Sequence, residues 1–457
     1  MPDSWKGAAP AALPVHIVGI GGAGMSGLAV LLADRGHAVS GSDLVDGPVL
    51  AHLRSLGIDA RGGHDAGHVP DAALVTASPA VARDHVELAE ARSRGLVVAS
   101  RAEVLGWLSE LRPTVAIAGT HGKTTTTAMA VYALRALGAD PSFLLGADLP
   151  GTTLRARWGE DDLLVLEADE SYGSFSELAP SVTAVANVEA DHLDHYGTLE
   201  ALTEAFAALL DRSGSSVVVA DDPGAASLVE RSGAASVGEA VGATYAMADL
   251  VLEPSGLRFT LAHEDVVAPV EVAMPGRHNA RNAALALSAL ELAGYPLADV
   301  ASGLRGFGGL PRRLEERGEL REVRMVDDYA HLPSEVAAAV AAMAAGRPRR
   351  LVVVFQPHRY TRTAAVGEQF VGSFDGADVV IVTGLYPAGE PPIPGVDAGK
   401  VARAVAAGAR APRVELVEER DALVKRLLEV LEPGDLLLTL GAGDLTELPD
   451  QLAAAGS

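Results

Sequence analysis

Cysteine is absent from the 457-residue chain. Disulfides, thiol catalysis and Cys-ligated zinc are excluded with it, although its absence does not fix the compartment. Basic residues are in deficit, with 36 Lys and Arg against 60 Asp and Glu and a formal charge of −24. Non-specific nucleic-acid binding needs basic surface, so no nucleic acid is expected as a partner. No apolar run approaches the length that spans a bilayer, and no membrane partner is expected. The first 14 residues are rich in Ala and Pro, carry one Lys and lack a long apolar core. They do not read as a signal peptide, which makes the cytoplasm the default location. Aromatics are only 4% of the chain, while Ala, Val, Leu and Gly dominate, a composition suited to parallel α/β layers. With 49% hydrophobic residues the chain is globular, and its length implies roughly two to four domains.

What is present is organised around Gly119-Thr120-His121-Gly122-Lys123-Thr124-Thr125-Thr126-Thr127. The apolar run from Thr114 to Ala118 reads as a buried strand, and Ala128 to Leu137 has helical spacing. Strand, glycine turn, Lys-Thr and helix wrap backbone N–H groups around phosphate at a helix N-terminus. The Lys ammonium neutralises phosphate oxygens, and the next hydroxyl reaches a Mg²⁺. The loop departs from G-x-x-x-x-G-K-[ST], because Ile117 stands where the first glycine belongs.

A second glycine motif lies upstream. The apolar strand Val15 to Ile20 runs into Gly19-Ile20-Gly21-Gly22-Ala23-Gly24, a helix is predicted from about Met25 to Arg35, and a strand ends at Gly41-Ser42-Asp43. This is G-x-G-x-x-G inside a βαβ unit with an acid roughly 20 residues downstream, a nucleotide-site signal that does not require NAD. Further strands at Leu74 to Ser78 and Leu96 to Ser100 complete a small doubly wound sheet.

Beyond the phosphate loop, strands at Asp162 to Leu166 and Thr183 to Val188 end in Glu167-Ala168-Asp169-Glu170-Ser171 and Glu189-Ala190-Asp191-His192-Leu193-Asp194-His195. Ligands of open α/β sheets gather at the carboxyl ends of strands, so Lys-Thr, Glu and Asp-His are expected at one site. Thr244 to Met274 reads as an antiparallel appendage, and Gly276-Arg277-His278-Asn279 as the cap of a helix from about Ala280 to Ala293. After a hinge at Gly308 to Arg313, strands at Val323 to Asp327, Leu351 to Phe355, Asp378 to Thr383, Val414 to Val417 and Asp435 to Leu440 predict a third, parallel α/β domain.

The order GIGGAGMSGLA, GTHGKTTTT, EADES, NVEADHLDHYG, GRHNARNA, DDYAH and FQPHRYTRT resembles the Mur ligases, from about residue 14 to 445. The resemblance implies three α/β domains. These are an N-terminal Rossmann-like domain at 1–111 for a UDP-linked substrate, a central P-loop ATPase-like mixed-sheet domain at 112–310, and a C-terminal Rossmann-like domain at 311–457 for the amino acid. It implies an ATP- and Mg²⁺-dependent ligase working through an acyl phosphate, as a monomer or homodimer. Asp191 to Arg212 holds no Lys that could be carbamylated, which favours the alanine-adding branch, with UDP-N-acetylmuramate and L-alanine as substrates in peptidoglycan synthesis.

By the same resemblance Gly119, Thr120, His121, Gly122, Lys123, Thr124 and Thr125 hold the ATP phosphates, and His278, Asn279 and Asn282 grip its nucleoside. Thr124, Glu167 and His192 match metal ligands, and Arg313 falls near the γ-phosphate. Gly19, Gly21, Gly22, Gly24, Met25 and Ser26 lie on the UDP phosphates, with Asp43 on the uridine side. Arg359 and Arg362 form a carboxylate clamp. Tyr329 and His331 limit the side-chain pocket, and either His331 or the released phosphate takes the proton of the amine. Tyr172 and Leu332 depart from the family's EADESD and DDY-x-HHP, which loosens the choice of amino acid. Two other readings compete: a paralogous ligase with a different amine or nucleotide acceptor, and an NAD-dependent oxidoreductase built on Gly19 to Gly24 and Asp43.

Overall fold

The structure is a computed structural model that describes residues 13–71 and 73–456. The Ala/Pro-rich leader therefore lies, up to residue 12, outside the described residues. Contacts divide the chain into two compact units, one made of residues up to 248 with 260–270 and 281–305, the other of 249–259, 271–280 and the residues from 306 onward.

The first unit opens with β1 (Val15–Val18), β2 (Val39–Asp43), β3 (Asp59–Gly62), β4 (Leu74–Ala77) and β5 (Val98–Ser100), all parallel in the order β3-β2-β1-β4-β5. The order reverses between β1 and β4, which opens a crevice at the strand ends where the first glycine motif sits. The helix Ala23–Asp34 follows β1 and buries Met25, Leu28, Leu31 and Leu32 against the sheet. A side chain at Gly41 would strike the Ile17 carbonyl on the neighbouring strand, so close strand packing requires glycine there.

The central sheet contains β6 (Thr114–Ala118), β7 (Ser142–Leu144), β8 (Ala156–Arg157), β9 (Leu164–Glu167), β10 (Val182–Val185), β11 (Ser215–Val219), β12 (Ala235–Gly238), β13 (Tyr245–Glu253), β14 (Gly256–His263) and β15 (Val266–Val272). Their order is β15-β14-β13-β12-β11-β10-β6-β9-β7-β8. β6 is buried throughout and lies parallel between β10 and β9, so three strand ends open at one place. The expected appendage at 244–274 is corrected here: β13 pairs parallel with β12 and continues the central sheet.

The second unit holds β16 (Glu315–Leu320), β17 (Val323–Asp328), β18 (Leu351–Phe355), β19 (Val379–Val382), β20 (Arg413–Leu416) and β21 (Leu436–Leu440), in the order β16-β17-β21-β18-β19-β20. The expectation of a parallel sheet is corrected at one edge, where β16 runs antiparallel to β17. The sequence of β16, Glu-Glu-Arg-Gly-Glu-Leu, has no buried residue, as suits an edge guarded by charge. The three sheets make this a three-domain α/β protein with parallel and mixed sheets. Among the described residues, no helix is long and apolar enough to cross a membrane.

Candidate active site

The helix Lys123–Ala136 starts directly after β6 and its glycine turn, with Gly122 as its N-cap. Two glycines are sterically required. Gly119 has φ +130°, and a Cβ there would lie 3.1 Å from the amide nitrogens of Ala186 and Asn187. Gly122 has φ +77°, and its Cβ would lie 2.6 Å from Asn282 Oδ1. The segment after β10 clamps the loop. Thr120 N donates to the Asn187 carbonyl at 3.1 Å, His121 N donates to Asn187 Oδ1 at 2.7 Å, and Asn187 Nδ2 donates to the His121 carbonyl at 3.1 Å. Glu189 N donates to Thr120 Oγ1 at 2.9 Å. The loop is thus fixed from outside itself, and the helix N-terminus behind it favours an anion.

Lys123 Nζ donates to the Gly119 carbonyl at 2.7 Å, the Thr120 carbonyl at 3.1 Å and Glu170 Oε2 at 2.7 Å. Burial alone would depress this ammonium, but the charges of Glu170 and Asp169 outweigh it and hold the pKa above the usual lysine value. The Thr124 hydroxyl donates to Glu167 Oε1 at 2.9 Å, while Glu167 Oε2 accepts from Gly146 N at 2.7 Å. Thr125 is buried behind them. His192 adopts φ +53° at the cap of a short helix and lies 3.9 Å from Glu170 Oε1 and 3.6 Å from Asp191 Oδ2. Ligand atoms of Asp169, Glu170 and His192 all fall within 4.8 Å of one another.

Oxygen donors dominate both groupings, and that donor set fits a hard divalent cation. The structure pairs two of the three expected metal ligands, Thr124 and Glu167, and sets His192 beside Asp169 and Glu170. Those two acids were missed as site residues, although Glu167-Ala168-Asp169-Glu170 was read as a strand-end cluster. Asn187 was missed as well; its signal was the conspicuous Asn-Val-Glu that follows β10.

Of the expected nucleoside contacts, Asn282 abuts Gly122 of the loop. Asn279 belongs to the second unit and donates from Nδ2 to the Pro275 carbonyl at 2.7 Å. His278, in the same unit, packs on Gly276, whose Cβ would lie 2.7 Å from its Cε1.

In the first glycine motif, Gly19 has φ +77° and Gly22 caps the helix Ala23–Asp34. Asp43 turns onto the loop, its Oδ2 accepting from Gly21 N at 2.9 Å. Gly24 is covered by the guanidinium of Arg101, whose Nη2 would lie 2.8 Å from a Cβ there. Met25 points into the core, and the Ser26 hydroxyl donates to the Ala23 carbonyl at 3.2 Å.

The second unit brings its expected residues together at the ends of β17 and β18. Tyr329 lies under two guanidiniums, with Arg312 Cζ at 4.8 Å and Arg313 Cζ at 5.1 Å from its ring centroid. His331 and His358 have ring centroids 5.9 Å apart. Arg359, at φ +68°, caps the helix Tyr360–Val366 and lies 2.7 Å through Nε from Glu390 Oε1. Arg362 Nη1 donates to His358 Nδ1 at 3.2 Å. Burial first, then the charges of His331, Arg362 and Arg359, lower the His358 pKa to about 4, so its ring is neutral and accepts that bond. Glu390 and His358 were missed: nothing in sequence spacing pairs residue 390 with 359. Of the two departures, Tyr172 is exposed at φ +52° and Leu332 is buried.

Comparison with known proteins covers the chain almost end to end. Residues 14–112 match the family model described as Mur ligase family, catalytic domain. Residues 117–290 match the Mur ligase middle domain, and 312–443 the Mur ligase, glutamate ligase domain. A UDP-N-acetylmuramate–L-alanine ligase of Thermobifida fusca is 44% identical over 458 residues, covering 96% of each chain. One of Mycolicibacterium gilvum is 42% identical and covers 98% of each. The crystal structure of UDP-N-acetylmuramate-alanine ligase MurC from Thermotoga maritima superposes with a TM-score of 0.80 at 27% identity, over 97% of this chain and 99% of that one. A murein peptide ligase from Psychrobacter arcticus shares the fold, with a TM-score of 0.67 at 24% identity and coverage of 97% and 98%. The chain belongs to the Mur ligase family.

Proposed function

We propose that the chain is an ATP-dependent carbon–nitrogen ligase that joins L-alanine to UDP-N-acetylmuramate in peptidoglycan synthesis, in the cytoplasm, as a monomer or homodimer. One observation carries the reading: a half-buried Lys123 at the head of a clamped phosphate loop, beside Thr124 paired to Glu167, in a chain similar throughout to ligases named for that reaction.

Residues 1–111 bind the UDP moiety, 112–310 bind ATP, and 311–457 bind the amino acid. The acceptor carboxylate attacks the γ-phosphorus, the bond to ADP breaks, and an acyl phosphate forms. The amine then attacks the acyl carbon and phosphate leaves. Both reactants of the first step are anions, so fixed positive charge is the main requirement. Lys123 and the loop Gly119 to Thr125, whose Thr120 and His121 amides are given to Asn187, hold the transferring phosphates, Arg313 adds charge at the γ-phosphate, and Asn282, His278 and Asn279 position the nucleoside. Thr124, Glu167 and His192, with Asp169 and Glu170 beside them, would hold Mg²⁺, which neutralises phosphate oxygens when bound. Gly19, Gly21, Gly22, Gly24, Met25 and Ser26 receive the UDP phosphates, with Asp43 on the uridine side. Arg359 and Arg362 take the amino-acid carboxylate, beside Tyr329 and His331.

Purified protein is expected to release phosphate from ATP only with UDP-N-acetylmuramate and L-alanine together. Release with another amine but not with L-alanine would overturn the alanine assignment and favour the paralogue. An amino-acid panel decides between them.

A further inference from the structure

His331 stands between β17 and the helix Pro333–Ala345, and its surroundings fix which ring nitrogen carries the hydrogen. Nδ1 lies 3.1 Å from the Tyr329 carbonyl oxygen and 3.3 Å from Glu335 Oε2. A carbonyl and a carboxylate only accept hydrogen bonds, so Nδ1 is the N–H of the neutral ring and the basic lone pair lies on Nε2. Glu335 is itself pinned. Its Oε2 accepts from His331 N at 2.9 Å and from Leu332 N at 3.2 Å, at the start of the helix. Both side chains are 12% exposed, so little water competes for the pair. The other rings nearby add no second base: Tyr329 meets His331 edge-on at 5.5 Å, and His358 gives its Nδ1 to Arg362.

We propose that Glu335 is a positioning residue that, with the Tyr329 carbonyl, holds His331 as the Nδ1–H tautomer, and that Nε2 of His331 takes the proton of the incoming amine. The proposal rests on the ligase reading above and chooses between the two proton acceptors that the sequence left open. A free amino acid is mostly an ammonium near neutral pH, so one N–H bond must break before attack. That proton passes to the Nε2 lone pair, and Glu335 offsets the imidazolium charge. The freed amine pair forms the C–N bond to the acyl carbon while the carbon–oxygen bond to phosphate breaks. The second amine proton leaves with the phosphate. The logic is that of a base oriented by a carboxylate on its other nitrogen.

The test uses the full chain with ATP and UDP-N-acetylmuramate and compares two nucleophiles. L-Alanine needs deprotonation, whereas hydroxylamine is already neutral near neutral pH and does not. For Glu335→Gln, which keeps an acceptor oxygen at the helix start, kcat with L-alanine is expected to fall roughly 10²-fold. The KM for UDP-N-acetylmuramate and the rate of hydroxamate formation should stay near those of the unaltered protein. His331→Gln, which leaves the helix start intact, should show the same split. A parallel loss with both nucleophiles, or an unchanged kcat with L-alanine, would overturn the proposal. Failure of the unaltered protein to ligate L-alanine or any other amino acid would instead remove the ligase reading.

Discussion

Lys123 Nζ and Glu170 Oε2 are 2.7 Å apart, in side chains only 12% and 1% exposed. The pair is the electrostatic centre of the phosphate loop, and its two members have separable roles. Removing one partner of a buried pair strands the other charge, which costs about 3 kcal/mol or more. Glu170→Ala is therefore expected to lower the unfolding free energy by that order in a denaturant titration. Lys123→Ala should abolish ATP turnover. The double replacement Lys123→Met with Glu170→Leu should recover stability while remaining inactive. Additive losses in the double variant would mean that the two groups do not interact.

Asn187 carries the outer support of the same loop. It offers one acceptor and one donor to the His121 backbone, at 2.7 and 3.1 Å. Each such bond contributes on the order of 1 kcal/mol. Asn187→Ala is expected to raise the KM for ATP roughly 10-fold through a looser loop, with a smaller change in the KM for L-alanine. Equal changes in both constants would point to a general loss of folding instead.

Much of this arrangement was legible because buried parallel strands are nearly continuous apolar runs. β18 falls at Leu351–Phe355, where the run places it, and β6 at Thr114–Ala118 likewise. Helical spacing in the sequence starts at Ala128, whereas the phosphate-loop helix begins five residues earlier, at Lys123. Four threonines are weak helix formers, yet Thr126 and Thr127 are fully buried, and packing overrides propensity there. Two edge strands, β3 and β16, were invisible for the opposite reason. β3 reads Asp-Ala-Arg-Gly, and β16 is charged along its length, so neither shows a hydrophobic period. Pairings across long sequence separations had no sequence signal at all: Lys123 with Glu170 and Arg359 with Glu390 are products of the fold.

The Arg359–Glu390 pair shows how such a product bears on substrate choice. Glu390 accepts from Thr361 N at 2.9 Å, from Thr361 Oγ1 at 2.7 Å and from Arg359 Nε. It thereby sets the direction of the guanidinium that the proposed clamp uses. Arg359→Ala is expected to raise the KM for L-alanine roughly 10- to 100-fold, the range of a lost charged hydrogen bond. Glu390→Gln should raise it less, since the amide still orients Arg359 but without the charge. An unchanged KM in Arg359→Ala would remove that residue from the clamp.

Glu87 sets the acid limit of the first unit. It is fully buried and accepts from His16 Nε2 at 2.9 Å, Ser42 Oγ at 2.7 Å and Asp65 N at 3.1 Å. Burial alone would raise its pKa, but the hydrogen bonds from His16 and Ser42 outweigh it and hold the carboxyl at about 2, against an ordinary 4.5. A carboxyl depressed in the folded state stabilises above its unfolded pKa, and that contribution disappears as pH falls through the folded one. The difference corresponds to about 3 kcal/mol, present near neutrality and lost between roughly pH 4.5 and pH 2. Glu87→Gln is thus expected to be less stable than the unaltered protein at about pH 7, with the gap narrowing below about pH 4. A gap that stays constant across that range would show that the buried charge is not what holds β1, β2 and the segment after β3 together.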